Sequence, residues 1–513
     1  MAGPGRSRGP VRPIWRALVA ARCCEVLRGA PQRRLPSALV AAVLIAAARR
    51  AMALPGVVQD AVLYLASAVF AGVTIVMAVS ADYRLWGEIA GISYLVGGLG
   101  CVLVAALARR REASSRVGSG GQGGGRALDQ WQPERSAHQA RLARMAILVF
   151  VLLGAVIVPL ATELTLRAEA SPGANAQPEV AVIERAGDRL ASGHNPYLRH
   201  PMSVGISPSS DRRQVDDTAY FPYLPGMVPF GLLNASSLPK ELRDARVLLV
   251  GFTLLVVGIA LALVGGDPDR RAKVLQFLVV LPSGALPMVT GGDDLPVLAL
   301  MLLGLVLAHR RQPVLAGLVV GLAGTLKFTA WPMLLLLPFA IEDRDGRRAP
   351  LRYGLSVLAV VGPVIGLGFA PSPASFLVNV VRFPLGLARI KSPAASPLFG
   401  QVLVSIFPEE KTLIVGALLA LGAGTVLYSL CRYPPRSAVA VARFTAFAMM
   451  LATVLAPATR FGYLIYPINL VVWAYLLDVM PGSAPRRATS PPGGQSASLI
   501  SYNVSETDAV GAL

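Results

Sequence analysis

Five acidic residues occupy positions from which a carboxylate could bind or deprotonate a hydroxyl group. Glu179, Glu184 and Asp188 lie in the segment PEVAVIERAGDRL, and Asp293 and Asp294 follow two glycines. In a helix, the five-residue spacing puts Glu179 and Glu184 on different faces, and Asp188 lies one turn beyond Glu184. A carboxylate within hydrogen-bond reach of a hydroxyl can act as its general base. The alternatives are solvated charges on an amphipathic helix and, for one aspartate, an ordinary helix N-cap.

A set of cations accompanies these acids in segments that we place on the outer side of a membrane: Lys327, Arg382, Arg389, Lys391 and Arg460. Lys327 interrupts the apolar stretch 313–341, which we interpret as two short helices with the lysine near their apex. An ionisable residue at membrane depth suggests function, although a lysine can also snorkel to the interface. Outer cations run against the positive-inside bias and favour an anionic partner such as a phosphate.

The polar segment 163–225 carries a third group of candidates. It contains His194 and Tyr197 in GHNPY, and Tyr220 and Tyr223 in YFPYLP, where prolines favour extended, stiff turns. Tyrosines at a membrane interface often serve only as belt residues, and a surface histidine is usually just solvated. We nevertheless predict these four side chains as substrate contacts.

The elements that must position these residues are membrane helices. Apolar residues make up 54% of the chain and charged residues 15%, against roughly 25% charged residues in soluble domains. Several apolar runs reach the ~20 residues that span a bilayer, and the sequence predicts an all-α polytopic membrane protein with about 11 to 13 crossings. The net charge of +19 is concentrated in short arginine runs at helix ends, which indicates membrane topology rather than a nucleic-acid partner.

Composition divides the chain into five predicted regions. These are a cytoplasmic arginine-rich leader with an interfacial helix (1–55), a two-helix membrane appendage (56–108), a flexible cytoplasmic linker (109–144), a transmembrane core (145–480) with outer loops 164–227 and 371–410, and a disordered cytoplasmic tail (481–513). The four cysteines lack metal-ligand spacing. Motifs for phosphate-binding loops, zinc proteases and nucleophilic serines are also absent from the sequence.

The order of these motifs resembles a known family. Glu179, then GHNPY at 193–197, then YFPYLP at 220–225 resemble the first outer loop of the polytopic C-type (GT-C) glycosyltransferases. The most similar group is the actinobacterial polyprenyl-phosphate-mannose-dependent mannosyltransferases of glycosyltransferase family 87. The segment from Gly291 to Pro332 resembles that family's acidic turn and lysine-bearing helix hairpin, and PATRFGYLIYP at 457–467 its late outer motif. The resemblance covers residues 145–480, and the family usually has an aspartate where this chain has Glu179.

The resemblance implies a GT-C-like bundle in the plasma membrane with its active site on the extracytoplasmic side. It implies inverting transfer of a sugar from a polyprenyl-phosphate donor to a lipid or glycan acceptor, with a loop carboxylate as base. Lys327 and Arg460 would stabilise the departing phosphate, so this scheme requires no metal or other cofactor. Tyr220 and Tyr223 would stack on the sugar or the lipid, and Asp293, Asp294 and Tyr463 complete the predicted substrate-binding set.

Two other functions fit parts of the sequence. A transporter or flippase for a lipid-linked or anionic substrate also needs buried cations and acids, but it predicts charges near the membrane midplane and symmetric halves, whereas the charges here cluster toward one side. A scaffold of envelope synthesis would use the appendage and tail for docking. We favour the transferase.

Overall fold

The structure is a computed structural model that describes residues 56–78, 80–118, 132–170, 175–197, 220–264, 267–345, 348–385, 387 and 394–478. The predicted leader, the predicted tail, the middle of the predicted linker, Arg389 and Lys391 lie outside these residues. Within the described ranges the protein is helical, and its only bridge of β type pairs Ala395 with Thr459.

The first half of the described chain contains eight helices and several short irregular turns. The helices are α1 (Gly56–Met77), α2 (Ala81–Gly118), α3 (Gln132–Leu152), α4 (Val158–Glu169), α5 (Pro178–Ala191), α6 (Ala245–Val264), α7 (Pro268–Leu275) and α8 (Pro282–Thr290). A π-helical turn at Leu153–Ile157 joins α3 to α4, and another at Gln276–Val280 follows α7. The 3-10 helix Pro225–Ala235 follows the predicted first outer loop.

The second half continues the bundle. Its helices are α9 (Leu295–His309), α10 (Pro313–Leu326), α11 (Trp331–Asp345), α12 (Ala349–Phe369), α13 (Pro373–Leu377), α14 (Phe399–Ile406), α15 (Lys411–Arg432), α16 (Ala438–Leu455) and α17 (Ile465–Asp478). Short 3-10 helices at Phe328–Ala330 and Phe461–Leu464 precede α11 and α17.

The predicted class of an all-α polytopic membrane protein is confirmed. Within the described ranges, eight helices are long and apolar enough to cross a membrane, or nine if the bent pair Pro268–Val280 and Pro282–Thr290 forms one span. The predicted 11 to 13 crossings would also need the shorter apolar helices Leu295–His309, Pro313–Leu326 and Phe328–Ile341 to cross, so that count stays a prediction.

The chain divides into two compact units. The first comprises the described residues up to Ala78 and from Gly87 to Ala155, and thus α1, most of α2, and α3. Inside it, Arg144 and Asp60 form a buried ion pair, with both Nε and Nη2 of the arginine 2.8 Å from Oδ2 of the aspartate. Because α2 runs to Gly118 and α3 begins at Gln132, both helices extend into the range predicted as a linker.

The second unit, Val79–Trp86 and the residues from Val156 onward, holds the candidate site. Its central helix is α9, in which every residue from Leu295 to Ala308 is buried. A helix that is apolar all round is stable only inside a bundle, and α9 accordingly packs against α6 and α10. The acidic turn just before α9 therefore lies at the end of the most enclosed helix of the unit.

Two local predictions hold in this unit. The amphipathic helix expected around Glu179 is α5, and the stretch 313–341 is two helices that separate at Lys327. Lys327 has extended backbone angles, φ −147° and ψ 150°, so the hydrogen-bond ladder of α10 ends there and a new helix begins.

Candidate active site

Helix α5 is docked at its first residues onto the end of α8. The backbone N–H of Gln177, the N-cap residue, donates to the carbonyl of Thr290 over 2.8 Å, and its side-chain Nε2 donates to Oγ1 of Thr290 over 2.8 Å. Gly291 follows with φ +107°, a left-handed conformation that favours glycine. A Cβ atom on Gly291 would lie 2.1 Å from Val180, so the missing side chain also lets α5 approach. This packing brings Glu179 next to the acidic turn at Asp293.

A pair of glycines fixes the other side of α5. A Cβ atom on Gly187 would lie 2.2 Å from the carbonyl carbon of Gly231, and one on Gly231 would lie 2.0 Å from the carbonyl oxygen of Ile183. Helix α5 and the 3-10 helix Pro225–Ala235 therefore pack backbone against backbone. Any larger residue at either position would push α5, and with it Glu179, out of place.

Lys327 lies at the centre of the candidate site. Its Nζ atom is 2.6 Å from Oδ1 of Asp293 and 2.6 Å from Oδ1 of Asp294, and it lies 5.2 Å from the centre of the Tyr223 ring. Tyr223 is brought there because the neighbouring Leu224 N–H donates to the carbonyl of Leu326 over 3.1 Å. The break between α10 and α11 thus holds a cation between two carboxylates and an aromatic face.

Arg460 joins this group from the far end of the sequence. Its Nη1 atom is 2.5 Å from Oε1 of Glu179, across a separation of 281 residues. Thr459 is held by backbone hydrogen bonds to Ala394 and Ser396, and Arg460 follows it in extended conformation. The Arg460 side chain is 40% exposed, against 16% for that of Glu179, so the ion pair borders the surface of the unit.

Two further residues complete the cluster and were missed by sequence reasoning. The hydroxyl of Tyr466 donates to Oδ1 of Asp294 over 2.7 Å, and Oγ1 of Thr329 donates to the Tyr466 hydroxyl over 2.7 Å. Their only sequence signal is proximity, since Thr329 follows Lys327 by two residues and Tyr466 lies in the motif that contains Arg460. We call Glu179, Asp293, Asp294, Lys327, Arg460 and Tyr466 the charged cluster.

The electrostatics of the charged cluster are those of ions partly removed from water. Burial alone lowers the pKa of Lys327, but the charges of Asp293 and Asp294 outweigh it and raise that pKa. Burial also acts to lower the pKa of Arg460, but the charge and hydrogen bond of Glu179, with Tyr463, raise it overall. Burial, together with the charge of Asp294, raises the pKa of Asp293 despite the opposing effect of Lys327. Both cations therefore stay charged.

The other two predicted base candidates lie elsewhere on α5. Both carboxylate oxygens of Glu184 are engaged by Arg167, at 2.9 Å and 2.7 Å, and Oε1 also accepts the N–H of Ala245. Asp188 accepts a hydrogen bond of 2.6 Å from the side chain of Asn234. Of the three carboxylates, only Glu179 lies in the charged cluster.

Glu184 is part of a second group, which we call the anchor network: Arg167, Glu184, Asp244 and Arg246. Arg167 contacts Asp244 over 2.5 Å, and Arg246, fully buried, binds the same carboxylate through Nη2 at 2.8 Å and Nε at 3.0 Å. Arg246 also donates to the carbonyl of Val289 over 2.8 Å, which ties α6 to α8. Burial acts to raise the pKa of Asp244, but the hydrogen bonds and charge of Arg246, with Arg167, lower it overall.

The predicted aromatic contacts separate into two groups. Tyr197 is buried, packs edge-on against Phe221 and Phe376, and donates its hydroxyl to the Tyr223 carbonyl over 3.0 Å. Tyr220 is also buried and stacks on Phe383 at 4.4 Å between ring centres. Both hold the YFPYLP segment in place, whereas Tyr223 itself faces Lys327.

The remaining predicted residues vary in position. Tyr463 is half-buried and interacts electrostatically with Lys327, Asp294 and Arg460, so it borders the charged cluster. His194 and Arg382 are exposed. Over the described part of the chain, no group of three His, Cys, Asp or Glu side chains is arranged to hold a metal ion.

The fold and this site define a multi-pass membrane protein with a charged, partly exposed cluster where several helices begin or end. Residues 222–457 match the model of glycosyltransferase family 87, which bears out the resemblance predicted from the sequence and indicates a membrane glycosyltransferase. No curated protein matches the chain. The matched range includes Tyr223, Asp293, Asp294 and Lys327, whereas Glu179 and Arg460 lie outside it.

Proposed function

We propose that the protein transfers mannose from a polyprenyl-phosphate donor to a lipid or glycan acceptor of the cell envelope, on the extracytoplasmic face of the plasma membrane. The observation that carries the proposal is that Lys327, paired with Asp293, and Arg460, paired with Glu179, lie at the ends of membrane helices and both interact electrostatically with Tyr463. Two cations beside one another suit a phosphate leaving group, and a nearby carboxylate suits a hydroxyl nucleophile.

Glu179 is the carboxylate that we assign as general base. Both oxygens of Glu184 are occupied by Arg167, and Asp188 is bound to Asn234 outside the charged cluster. Glu179 has one arginine contact through Oε1 and keeps some exposure. A base must reach the acceptor hydroxyl, and Glu179 is partly exposed and lies in the charged cluster.

The reaction is a single displacement. The acceptor hydroxyl loses its proton to Glu179 as its oxygen forms a bond to the anomeric carbon. The bond between that carbon and the phosphate oxygen breaks, and the electron pair goes to the phosphate. The extra negative charge develops next to Lys327 and Arg460, where fixed cations stabilise it more in the transition state than in the ground state. One displacement inverts the configuration at the anomeric carbon.

The ion pair between Arg460 and Glu179 sets the order of events. While the arginine is bound, its guanidinium occupies Oε1 of Glu179. A donor phosphate offers Arg460 an alternative anionic partner with geometry suited to a guanidinium. Donor binding therefore draws Arg460 away and frees Glu179, so the donor binds before the acceptor is activated.

A reconstituted transfer assay tests the proposal. Purified protein in sealed proteoliposomes is incubated with radiolabelled polyprenyl-phosphate mannose, polyprenyl-phosphate glucose or a nucleotide sugar, together with envelope lipid acceptors. We expect transfer from the lipid-phosphate mannose and none from the nucleotide sugar, with a Glu179→Gln protein as the inactive control. Absence of transfer from every lipid-phosphate sugar, with movement of the donor across the bilayer instead, would identify a flippase.

A further inference from the structure

Two separate segments of the second unit have the same local structure. In each, a cation lies in extended conformation, with φ −147° and ψ 150° for Lys327 and φ −128° and ψ 145° for Arg460. Each cation is followed directly by a phenylalanine, Phe328 or Phe461, that begins a short 3-10 helix leading into a longer helix. The sequence stretches LKFTAW and TRFGYL carry this shared pattern.

The two segments are neighbours in space. The hydroxyl of Thr329, in the first 3-10 helix, donates a hydrogen bond to the hydroxyl of Tyr466. Tyr466 lies in the first turn of α17, directly after the second 3-10 helix. Tyr463, in the second 3-10 helix, interacts electrostatically with both Lys327 and Arg460. The two cations and the two phenylalanines therefore belong to one surface region rather than to separate parts of the bundle.

In each segment the phenylalanine is more exposed than the cation before it. Phe328 is 43% exposed against 12% for the Lys327 side chain, and Phe461 is 54% exposed against 40% for the Arg460 side chain. Phe328 is not loosely held, because its ring packs edge-on against Trp331 at 5.3 Å. Each of the two segments thus presents an apolar ring at the residue directly after a cation of the charged cluster.

We propose that Phe328 and Phe461 bind the hydrocarbon chain of the lipid-phosphate donor next to its phosphate. This inference rests on the proposed function. The donor is an amphiphile whose chain begins at the phosphate. Successive side chains of an extended segment point to opposite faces, so the cation of each segment reaches into the charged cluster while the phenylalanine after it lies toward the surface. A phosphate held by the two cations leaves the first part of its chain at the surface, where the two rings are exposed.

Chain-length dependence of transfer tests the inference. The variants Phe328→Ala, Phe461→Ala and their combination are assayed with a long-chain and a short-chain polyprenyl-phosphate mannose. We expect the KM for the long-chain donor to rise about three- to tenfold in each single variant, with a smaller change for a donor whose chain is too short to reach both rings. The kcat should change little, since neither ring contacts the reacting atoms.

Phe447→Ala is the matched control. Phe447 is also 43% exposed, but it lies within the predicted membrane span of α16 and is not next to a cation of the cluster. Its removal should leave both KM values unchanged. Equal KM increases for long and short donors, or the same increase in the control, would overturn the inference and assign the two rings to ordinary contact with membrane lipid.

A binding measurement separates failure of the inference from failure of the proposed function. Each variant is titrated with long-chain polyprenyl phosphate, without sugar or acceptor, and its thermal midpoint is recorded as a folding control. Transfer by the wild type with unchanged lipid affinity in both folded variants would refute only the chain-binding surface. Absence of any transfer together with absence of lipid-phosphate binding would refute both.

Discussion

Helix α5 contributes one glutamate to each of two charged groups that differ in their relation to solvent. The anchor network pairs two arginines with two carboxylates, and Arg246 at its centre is fully buried. The charged cluster has two cations against three carboxylates, and these five charged side chains range from 5% exposure at Asp293 to 40% at Arg460. Glu184 belongs to the first group and Glu179 to the second, only five residues earlier.

The difference separates a structural role from a chemical one. Buried charges are tolerated when each is paired and hydrogen-bonded, and the anchor network meets that condition while joining α4, α5, α6 and α8. The charged cluster keeps exposed atoms and an excess acid, which a structural ion-pair network does not require. Its partners can therefore be exchanged for a substrate.

The largest expected effect comes from removing the carboxylate of Glu179. The variant Glu179→Gln keeps the size and polarity of the side chain but cannot accept the acceptor's proton, so we expect kcat to fall about 10²- to 10⁴-fold. Transfer is measured with saturating donor and acceptor, and the thermal midpoint should stay close to that of the wild type.

The matched control for this prediction is Asp188→Asn, on the same helix but bonded to Asn234 outside the cluster. Its rate should stay within a few-fold of the wild type. If the asparagine variant lost activity and the glutamine variant kept it, the assignment of the base to the charged cluster would be wrong.

The second prediction concerns the phosphate-binding cations. Arg460→Gln should lower kcat/KM about 10²-fold, because a fixed positive charge is lost where the leaving group develops its own charge. Arg460→Lys keeps the charge and loses the forked geometry, so it should recover part of that loss. The readout is the KM for donor measured separately from kcat.

The outcome for Arg460→Lys also tests whether the donor phosphate replaces Glu179 as the partner of Arg460. Complete recovery would show that charge alone suffices, whereas a rate as low as that of Arg460→Gln would show that guanidinium geometry is required. A rise in activity on removing the arginine would contradict its role in binding phosphate and leave it only as a partner of Glu179.

The third prediction addresses the anchor network. Asp244→Asn leaves Arg167 and the buried Arg246 without their shared carboxylate, so we expect a loss of about 3–5 kcal/mol in the free energy of unfolding. Because this change acts through folding, transfer per folded molecule should be nearly normal below the new thermal midpoint. A large fall in activity with unchanged stability would mean that the network takes part in the chemistry.

The same variant has a defined pH dependence. The pKa of Asp244 is lowered in the folded protein, so its ionised form contributes stability above the unfolded pKa of about 4, and that contribution is lost as the pH falls through the lower folded value. The stability difference between wild type and Asp244→Asn should be complete at neutral pH and shrink in acid. A difference that grew as the pH fell would contradict this assignment.

The smallest predicted effect concerns Tyr197. Tyr197→Phe removes only the hydrogen bond from its hydroxyl to the Tyr223 carbonyl and keeps the packing against Phe221 and Phe376. We expect a loss of about 1 kcal/mol in stability and less than tenfold in rate. A specific rise in the KM for donor would instead support the direct substrate contact that the sequence suggested for this residue.

Several features of the fold and the site follow from sequence alone. The apolar runs predicted the membrane class, the apolar and acidic pattern predicted α5, and the lysine inside an apolar stretch predicted the break at Lys327. The spacing of Glu179 and Glu184 also predicted that they would face different surroundings, as they do. These features depend on periodicity and burial within short segments, which neighbouring residues encode.

The partner of each charge was decided only by tertiary structure. The sequence did not show that Glu179 would meet Arg460, that Arg167 would bind both Glu184 and Asp244, or that Tyr466 would bind Asp294. Those pairs join residues that lie in different segments of the chain. Helical periodicity predicts which face of a helix is polar, but it does not predict which other segment that face will contact. The close approach of Gly187 to Gly231, and the left-handed turn at Gly291, set those meetings. Packing therefore decided which of three similar carboxylates stands beside the cations.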